Sequence, residues 1–165
     1  MLNKKATFQR AHGNINVKIN NNEINHFYQS GSAKVFYPKS SQKFKELVLV
    51  NTAGGITSGD NFVYNFDIVN KSKIFLTTQT AERAYKGFNE KAKIKISLKI
   101  DDTSNLFWIP QELILFNNCN FDRNIEVNLS PNSNFVLAET TIFGRTAMGE
   151  YLEKGYFNDN WRINV

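Results

Sequence analysis

The sequence predicts one mainly β domain over residues 1–165, made of stacked antiparallel or mixed strand layers that resemble β-helix repeats, with little helix. Several segments alternate polar and apolar residues, a strand-turn pattern recurs about every thirty residues, and segments with helical periodicity are scarce. Hydrophobic residues form 41% of the chain, which is enough for a packed core, and no apolar run is long enough to cross a bilayer.

The first strands follow from local patterning. Residues 14–20 alternate polar and apolar side chains, and the asparagines at 20–22 favour a turn because asparagine tolerates left-handed backbone angles. Residues 34–37 predict a strand that ends before Pro38, which has no N–H to donate. The apolar run at 46–51 is typical of a strand buried on both faces.

Further strands are predicted at residues 62–69 and 93–100, where the period-two alternation is clearest. Residues 80–86 contain helix formers but end at Gly87, so we predict a strand, a turn near 89–92 and another strand there. Residues 161–165 resemble the start of a strand at the end of the chain. Such a strand would have one open edge, so we expect the domain to be incomplete at its C-terminus.

A weak internal repeat links these strands. Ser72, Ser104 and Ser133 each open a serine–any residue–three apolar residues pattern, at spacings of 32 and 29 residues. The period fits stacked strand units that cover one another's apolar faces, and it fits a β-meander whose hairpins look alike equally well.

Charge and cysteine content restrict the function classes. The net charge is +5, of which residues 1–50 carry +6 and residues 51–165 carry −1. We interpret the basic part as a solvated surface, because no nucleic-acid-binding motif accompanies it. Residues 1–7 lack the apolar stretch of a secretory signal, and the lone Cys119 fits a reducing cytoplasm.

Common catalytic and metal-binding patterns are missing. His12, His26 and Cys119 do not have the spacing of a closed zinc site, and there is no nucleophile elbow. The loop at 54–60 follows a strand, as a phosphate-binding loop would, but it lacks the lysine and the helix that such loops need. We therefore favour a tight turn with positive φ angles.

Four carboxylates lie beside apolar or glycine-rich sequence: Asp60, Glu112, Glu139 and Glu150. A carboxylate in such a context is paired, lines water or has a shifted pKa. From the residues alone, paired structural acids are the default interpretation.

Four segments, taken in order, resemble the urease accessory proteins of the UreD (UreH) type. Residues 51–60 resemble the family's N-x-A-G-G-x-x-x-G-D signature, residues 76–81 its L-T-T-Q-x-A strand and residues 108–116 its W-x-P-Q-E-x-I-x-F strand. Residues 143–150 contain the fourth, G-R-x-A-M-G-E, and Ser58 stands where the family often has a second glycine. The matched structural positions are Gly54, Gly55, Gly59, Thr78, Gln79, Pro110, Gln111, Gly144, Arg145 and Gly149.

The resemblance implies a non-enzymatic scaffold in the cytoplasm. Such proteins bind apo-urease and the accessory proteins UreF and UreG, and deliver nickel to the urease active site through an internal water-filled channel. It implies no tightly bound cofactor, only nickel in transit, and neither nucleic acid nor membrane as a partner. Asp60, Glu112, Glu139 and Glu150 then become candidates for the nickel path, and Arg145 for the partner of one of them.

The aromatic residues Phe107, Trp108 and Phe116 are expected in the core, because the W-x-P-Q pattern alternates as on a strand. Since members of the family continue further, the resemblance also implies that the chain is an N-terminal portion. Two other hypotheses remain: the chain is a small nucleotide- or phosphate-binding enzyme that uses the 54–60 loop, or it is a truncated remnant without activity.

Overall fold

The computed structural model describes residues 9–39 and 43–165, which form β-strands and one short 3-10 turn. No helix in this part of the chain has the length and apolarity needed to cross a membrane. The expectation about a secretory signal falls on residues 1–7, outside the described residues. The strands are β1 (His12–Asn20), β2 (Glu23–Gly31), β3 (Ala33–Phe36), β4 (Lys45–Asn51), β5 (Asn61–Val69), β6 (Lys73–Thr78), β7 (Glu82–Ala84), β8 (Ala92–Ile100), β9 (Asn105–Trp108), β10 (Leu113–Leu115), β11 (Asn120–Leu129), β12 (Asn134–Leu137), β13 (Thr141–Phe143) and β14 (Tyr156–Asn164), with the 3-10 turn at Thr146–Met148.

The strands form three sheets. Sheet A has the order β14-β11-β8-β5-β1-β2, sheet B the order β12-β9-β6-β4-β3 and sheet C the order β13-β10-β7. Neighbours are parallel except for the pairs β1–β2 and β3–β4, which are antiparallel. From β5 onward the chain therefore visits sheets A, B and C in turn, and each circuit stacks on the previous one as a β-solenoid. The predicted mainly β, β-helix-like class is confirmed.

The serine repeat marks one corner of each circuit. Ser72, Ser104 and Ser133 each directly precede a strand of sheet B, and Lys73 pairs with Asn105, which pairs with Asn134. Of the two interpretations left open by the period, stacked units are correct and the meander is not. Ser72 and Ser104 are fully buried, because the next circuit covers the corner.

Sheet A supplies the regular part of the core. Its strands alternate inward and outward residues, so that Phe66 on β5, Leu98 on β8 and Val127 on β11 lie in register inside the solenoid. All three are fully buried. This arrangement explains the period-two pattern, because one side of each strand faces the lumen and the other faces solvent. The asparagine turn is also confirmed, with Asn21 and Asn22 at φ of 51° and 61°.

Three expectations about strands need correction. The apolar run in β4 is buried on one face only, where Leu47 and Leu49 point inward, because the opposite face lies on the outside of sheet B. The segments at 76–81 and 108–116 are not single strands: β6 ends at Thr78 and β9 at Trp108. The chain turns there from sheet B to sheet C, and Pro110 lies within the second turn.

Two of the three aromatic residues that were expected in the core are buried. Trp108 and Phe116 are buried, whereas Phe107 points to the outside of sheet B and is half-buried against Phe44, with ring centroids 5.0 Å apart. The alternation on β9 requires this, because Phe107 lies between two inward residues.

The strand at the end of the chain is longer than expected. β14 runs in parallel register with β11 from Tyr156 to Asn164 and contributes Phe157 and Trp161 to the core. Cys119 is buried, and burial raises the pKa of its thiol, which agrees with an unreactive cysteine. His12 is exposed at the start of β1, as expected.

Candidate functional site

Three of the four matched sequence segments meet at the corner where the chain passes from sheet B to sheet C. The segment after β6, the segment after β9 and residues 138–140 after β12 are successive turns of this corner, joined by bonds such as Ile109 N–H to the Leu76 carbonyl (3.0 Å) and Ala138 N–H to the Trp108 carbonyl (3.1 Å). The glycine-rich loop after β4 joins them, because Gln79 N–H donates to the Leu49 carbonyl at 2.8 Å. Motifs distant in sequence therefore face one region of the lumen.

A cavity of about 80 Å³, lined by both apolar and polar side chains, lies behind this corner. That volume has room for several water molecules, and the polar side chains in the lining give such waters hydrogen-bond partners. The lining residues come from all three sheets and the corner turns: Leu49, Val50, Asn51, Gly54, Gly55, Tyr64, Thr78, Gln79, Thr80, Ala81, Glu82, Ile94, Ile96, Trp108, Pro110, Gln111, Leu113, Phe121, Arg123, Glu139 and Thr140. Six of the ten predicted motif positions and one of the four predicted acids, Glu139, are among them.

An ion network around Arg123 borders the cavity. Its guanidinium donates to both carboxylate oxygens of Glu139 (3.2 and 2.6 Å) and to both of Asp159 (2.8 and 2.5 Å). The Trp108 indole N–H also donates to Glu139, at 2.6 Å. Burial disfavours the charged guanidinium, but the two carboxylates outweigh it and raise the pKa of Arg123 above its ordinary value. With one cation and two carboxylates, the network has a net charge of −1.

Glu82, at the start of β7, also lines the cavity. The amide Nδ2 of Asn51 donates to both carboxylate oxygens of Glu82 (3.3 and 3.2 Å) and to the Gly55 carbonyl (3.0 Å). Burial raises the pKa of Glu82, and this effect exceeds the opposing effect of the hydrogen bonds from Asn51 and Arg83. The positive charge of Arg83 also lowers the pKa of Glu82, but the effect of burial is greater.

Asp60 has a visible structural role outside the cavity lining. It is 4% exposed and accepts hydrogen bonds from the N–H groups of Ala11 and Thr57, both at 2.8 Å. These bonds close the glycine-rich loop, in which Gly54 and Gly59 have φ of 77° and 79°. The predicted tight turn with positive φ angles is confirmed, and a strand, β5, follows it directly.

Glu112 and Glu150 lie in two other turns. Glu112 is half-buried at the cavity corner, and its carbonyl accepts from Glu82 N–H at 2.9 Å. Glu150 accepts from Asn117 N–H at 3.0 Å and forms an ion pair with Arg145, and these two contacts lower its pKa. Arg145 therefore has the acidic partner that was expected.

Gly144 and Gly149 adopt φ of 78° and 72° and shape this last turn, away from the cavity lining. Within residues 9–39 and 43–165, no three His, Cys, Asp or Glu side chains are grouped closely enough to hold a metal ion. The acidic side chains of the described residues are therefore dispersed over the cavity and the neighbouring turns.

Sequence reasoning did not single out Glu82, Arg123 or Asp159. Arg123 had a detectable signal, because it falls on the inward side of the β11 alternation, between the buried Phe121 and Ile125. Asp159 is its register partner on β14 and could have been found in the same way. Glu82 has no comparable signal, since β7 is only three residues long.

The chain is similar to urease accessory proteins. The UreD urease accessory protein family profile matches residues 9–165. A "Urease accessory protein UreD" from Rhodopseudomonas palustris (strain BisB5) is 41% identical over 138 residues, covering 84% of this chain and 49% of the relative. One from Chelativorans sp. (strain BNC1) is 36% identical over 162 residues, covering 96% of this chain and 58% of the relative. The chain spans about half the length of the curated relatives it matches.

Proposed function

Because this chain belongs to the UreD urease accessory protein family, we propose that it is a non-catalytic scaffold in urease maturation that passes nickel ions through the cavity of its solenoid. The observation that carries the proposal is a lumen cavity behind the family's sequence motifs, in which Glu82 and Glu139 lie among apolar residues together with Arg123. On this proposal the working compartment is the cytoplasm, and nickel is cargo.

The chemistry of the cavity suits transient binding. Ni²⁺ accepts carboxylate and water ligands as well as imidazole. The polar part of the cavity lining consists of carboxylate, amide and hydroxyl groups and the Arg123 guanidinium, without any histidine or cysteine. A path must offset the ion's lost hydration and still release it, which dispersed oxygen ligands do and a tight nitrogen or sulfur cage does not.

The four acids have different parts in the proposed path. Glu139 faces the ion directly, and Glu112 adds negative charge at the same corner. Asp60 and Glu150 act from neighbouring loops, where each also holds the backbone in place. Asp60 lies near enough to Glu82 to disfavour the charged form of that carboxylate, so the negative charge of Asp60 acts on a group that lines the cavity.

The outer face of sheet B carries a row of apolar side chains, which supports the proposal that this chain binds protein partners. Phe75, Phe107 and Val136 lie in register on successive strands, and Phe44 packs against Phe107 at the edge. Val136 is 42% exposed, and the two phenylalanines are half-buried. Contiguous exposed apolar surface of this kind marks protein-contact sites. We propose apo-urease, a UreF-like protein and a UreG-like protein as the partners of this scaffold.

The test is nickel-dependent urease activation in cells that co-express this chain, the urease subunits and the UreF- and UreG-like proteins. Glu139→Gln should lower urease activation about tenfold, which is the usual effect of removing a residue that acts beside a metal. The complex of this chain with its partners should still co-purify. Glu112→Gln should lower it less. Glu126→Gln is the matched control, because Glu126 is an exposed glutamate on the outer face of the same sheet as Arg123. Normal activation by both cavity-side variants would reject the path, and failure of the chain to co-purify with any partner would reject the scaffold.

A further inference from the structure

We infer that the outer face of sheet B binds an amphipathic helix of a partner protein, which lies across the strands with a basic residue beside Glu46. The inference rests on the proposed function and deepens it, since it names the form and the charge of the partner segment. The contact surface, which we call the sheet B row, consists of one outward side chain from each of four neighbouring strands: Glu46 on β4, Phe75 on β6, Phe107 on β9 and Val136 on β12.

The sheet B row is apolar at three of its four positions, although it faces away from the core. Phe75 and Phe107 each lie between two buried residues of their strands, so both rings point outward. Together with Phe44 and Glu46 they line a groove in this face. Phe44 packs edge-on against Phe107, with ring centroids 5.0 Å apart, and so forms an aromatic wall of the groove. The row ends at Val136, which is 42% exposed.

The residues on the two sides of the sheet B row differ in polarity. Two positions earlier in each strand lie Lys73, Asn105 and Asn134, which are in register, and the Asn134 amide donates to the Asn105 amide oxygen at 3.1 Å. Two positions later on β4 lies Val48, in register with Phe36, which is 58% exposed. A segment with one apolar side and one polar side, the polar side toward the asparagines, therefore fits this face.

The spacing of the sheet B row favours a helix over an extended peptide. Its side chains are separated by the distance between neighbouring strands, about 4.8 Å. Successive turns of an α-helix are about 5.4 Å apart, so residues three or four positions apart meet successive strands with a small mismatch. Side chains on one face of an extended peptide are about 6.7 Å apart. Such a peptide would also need an open strand edge for its hydrogen bonds, whereas β4, β6 and β9 are paired on both sides.

Glu46 determines the charge and the direction of the helix. Its carboxylate lines the groove, and none of the four ion pairs among the described residues includes it, although Lys73 lies on the same face. A partner that covers this carboxylate removes part of its hydration, and a cation on the partner offsets that loss. The N-terminal end of a helix carries partial positive charge. We therefore place this end at Glu46, with a lysine or arginine in the first turn of the helix.

The experiment measures the binding of synthetic peptides to the purified 165-residue chain by fluorescence anisotropy. The first peptide is a helix of about four turns, with an arginine in its first turn and three leucines on the same side in the following turns. The second peptide has glutamate in place of the arginine, and the third has a central proline that breaks the helix. The wild-type chain should bind the arginine peptide about fivefold more tightly than the glutamate peptide, the size expected for a partly exposed charge pair. It should bind the proline peptide at least about tenfold more weakly.

Glu46→Lys is the decisive variant, because it should reverse the preference and favour the glutamate peptide. Glu126→Lys is the matched control, since it makes the same change of charge on the outer face of sheet A and should leave the preference unchanged. Phe107→Ser should weaken the binding of both helical peptides at least about tenfold, as the loss of an aromatic contact does. If Phe107→Ser fails to fold, Val136→Ser at the exposed end of the row should weaken the binding of both about threefold.

The outcomes separate the inference from the proposed function. An unchanged preference in Glu46→Lys, or equal binding of the helical and the proline peptides, overturns the inference. A wild-type chain that sediments as a dimer, with Phe107→Ser as a monomer, assigns the row to a second copy of this chain and also overturns it. Peptide binding as expected, without co-purification of urease or accessory proteins, supports the helix site and rejects the proposed scaffold. Co-purification without peptide binding leaves the scaffold standing and overturns the helix site.

Discussion

Replacing Arg123 by methionine should destabilise the protein strongly, because it would leave two carboxylates without their cation. Arg123 is 7% exposed, and the side chains of Glu139 and Asp159 are 12% and 22% exposed. Removing one member of a buried ion network costs about 3 to 5 kcal/mol, since the remaining charges lose their compensation. We expect about 3 kcal/mol here, the lower end, because Asp159 retains some solvent contact.

The assay is urea unfolding followed by circular dichroism. With a slope of about 2 kcal/mol per molar urea, a loss of about 3 kcal/mol lowers the midpoint by about 1.5 M. The matched control is Arg162→Met on β14, an exposed arginine whose loss should change stability by less than about 0.5 kcal/mol. The triple variant Arg123→Met/Glu139→Gln/Asp159→Asn should recover most of the lost stability, because no charge then remains unpaired. A loss below about 1 kcal/mol in the single variant, or no recovery in the triple variant, would refute the reasoning.

Three further perturbations test other parts of the molecule. Leu98→Ala in the fully buried column of sheet A should cost about 3 kcal/mol by creating a cavity, again measured by urea unfolding. Phe107→Ser should weaken partner co-purification about thirtyfold, as for an aromatic contact worth about 2 kcal/mol, with little loss of stability because the ring lies outside sheet B. Glu82→Gln should raise the melting temperature relative to wild type at neutral pH but not at pH 4. Burial raises the folded-state pKa of Glu82 above the unfolded value, so its contribution to stability is present at low pH and is lost as pH rises through the folded pKa. An unchanged difference across that range would contradict this sign.

The strands of sheet A could be predicted from the sequence because each has one face buried in the core and one face exposed to solvent. Segments 14–20, 62–69 and 93–100 show this alternation directly, and β1, β5 and β8 are where it indicates. The strands of sheet C could not be predicted in this way. Three residues, as in Leu113–Leu115, give too short a pattern to distinguish a strand from part of a turn. Their existence depends on stacking against the neighbouring circuits.

The site was only partly predictable for a related reason. Motif resemblance indicated the corner at Thr78, Gln79, Pro110 and Gln111, and all four line the cavity. Four acids were selected because their neighbours in sequence are apolar or glycine, yet only Glu139 lines the cavity. The neighbours of a residue in a turn do not determine whether its side chain faces the lumen. Spatial neighbours in a solenoid are about thirty residues apart, so the relevant context comes from adjacent circuits.

The solenoid also explains how a charged group can enter the core without disturbing the fold. One inward column of sheet A runs in register through Phe62, Ile94, Arg123 and Asp159, so it changes from apolar to charged over successive circuits. The backbone ladder that holds these strands does not depend on the side chains in the column, and each circuit contacts mainly its neighbours. A polar segment of lumen can therefore be created by changing inward residues in two adjacent circuits, provided that the charges are paired. Arg123 supplies that pairing through its contacts with Glu139 and Asp159.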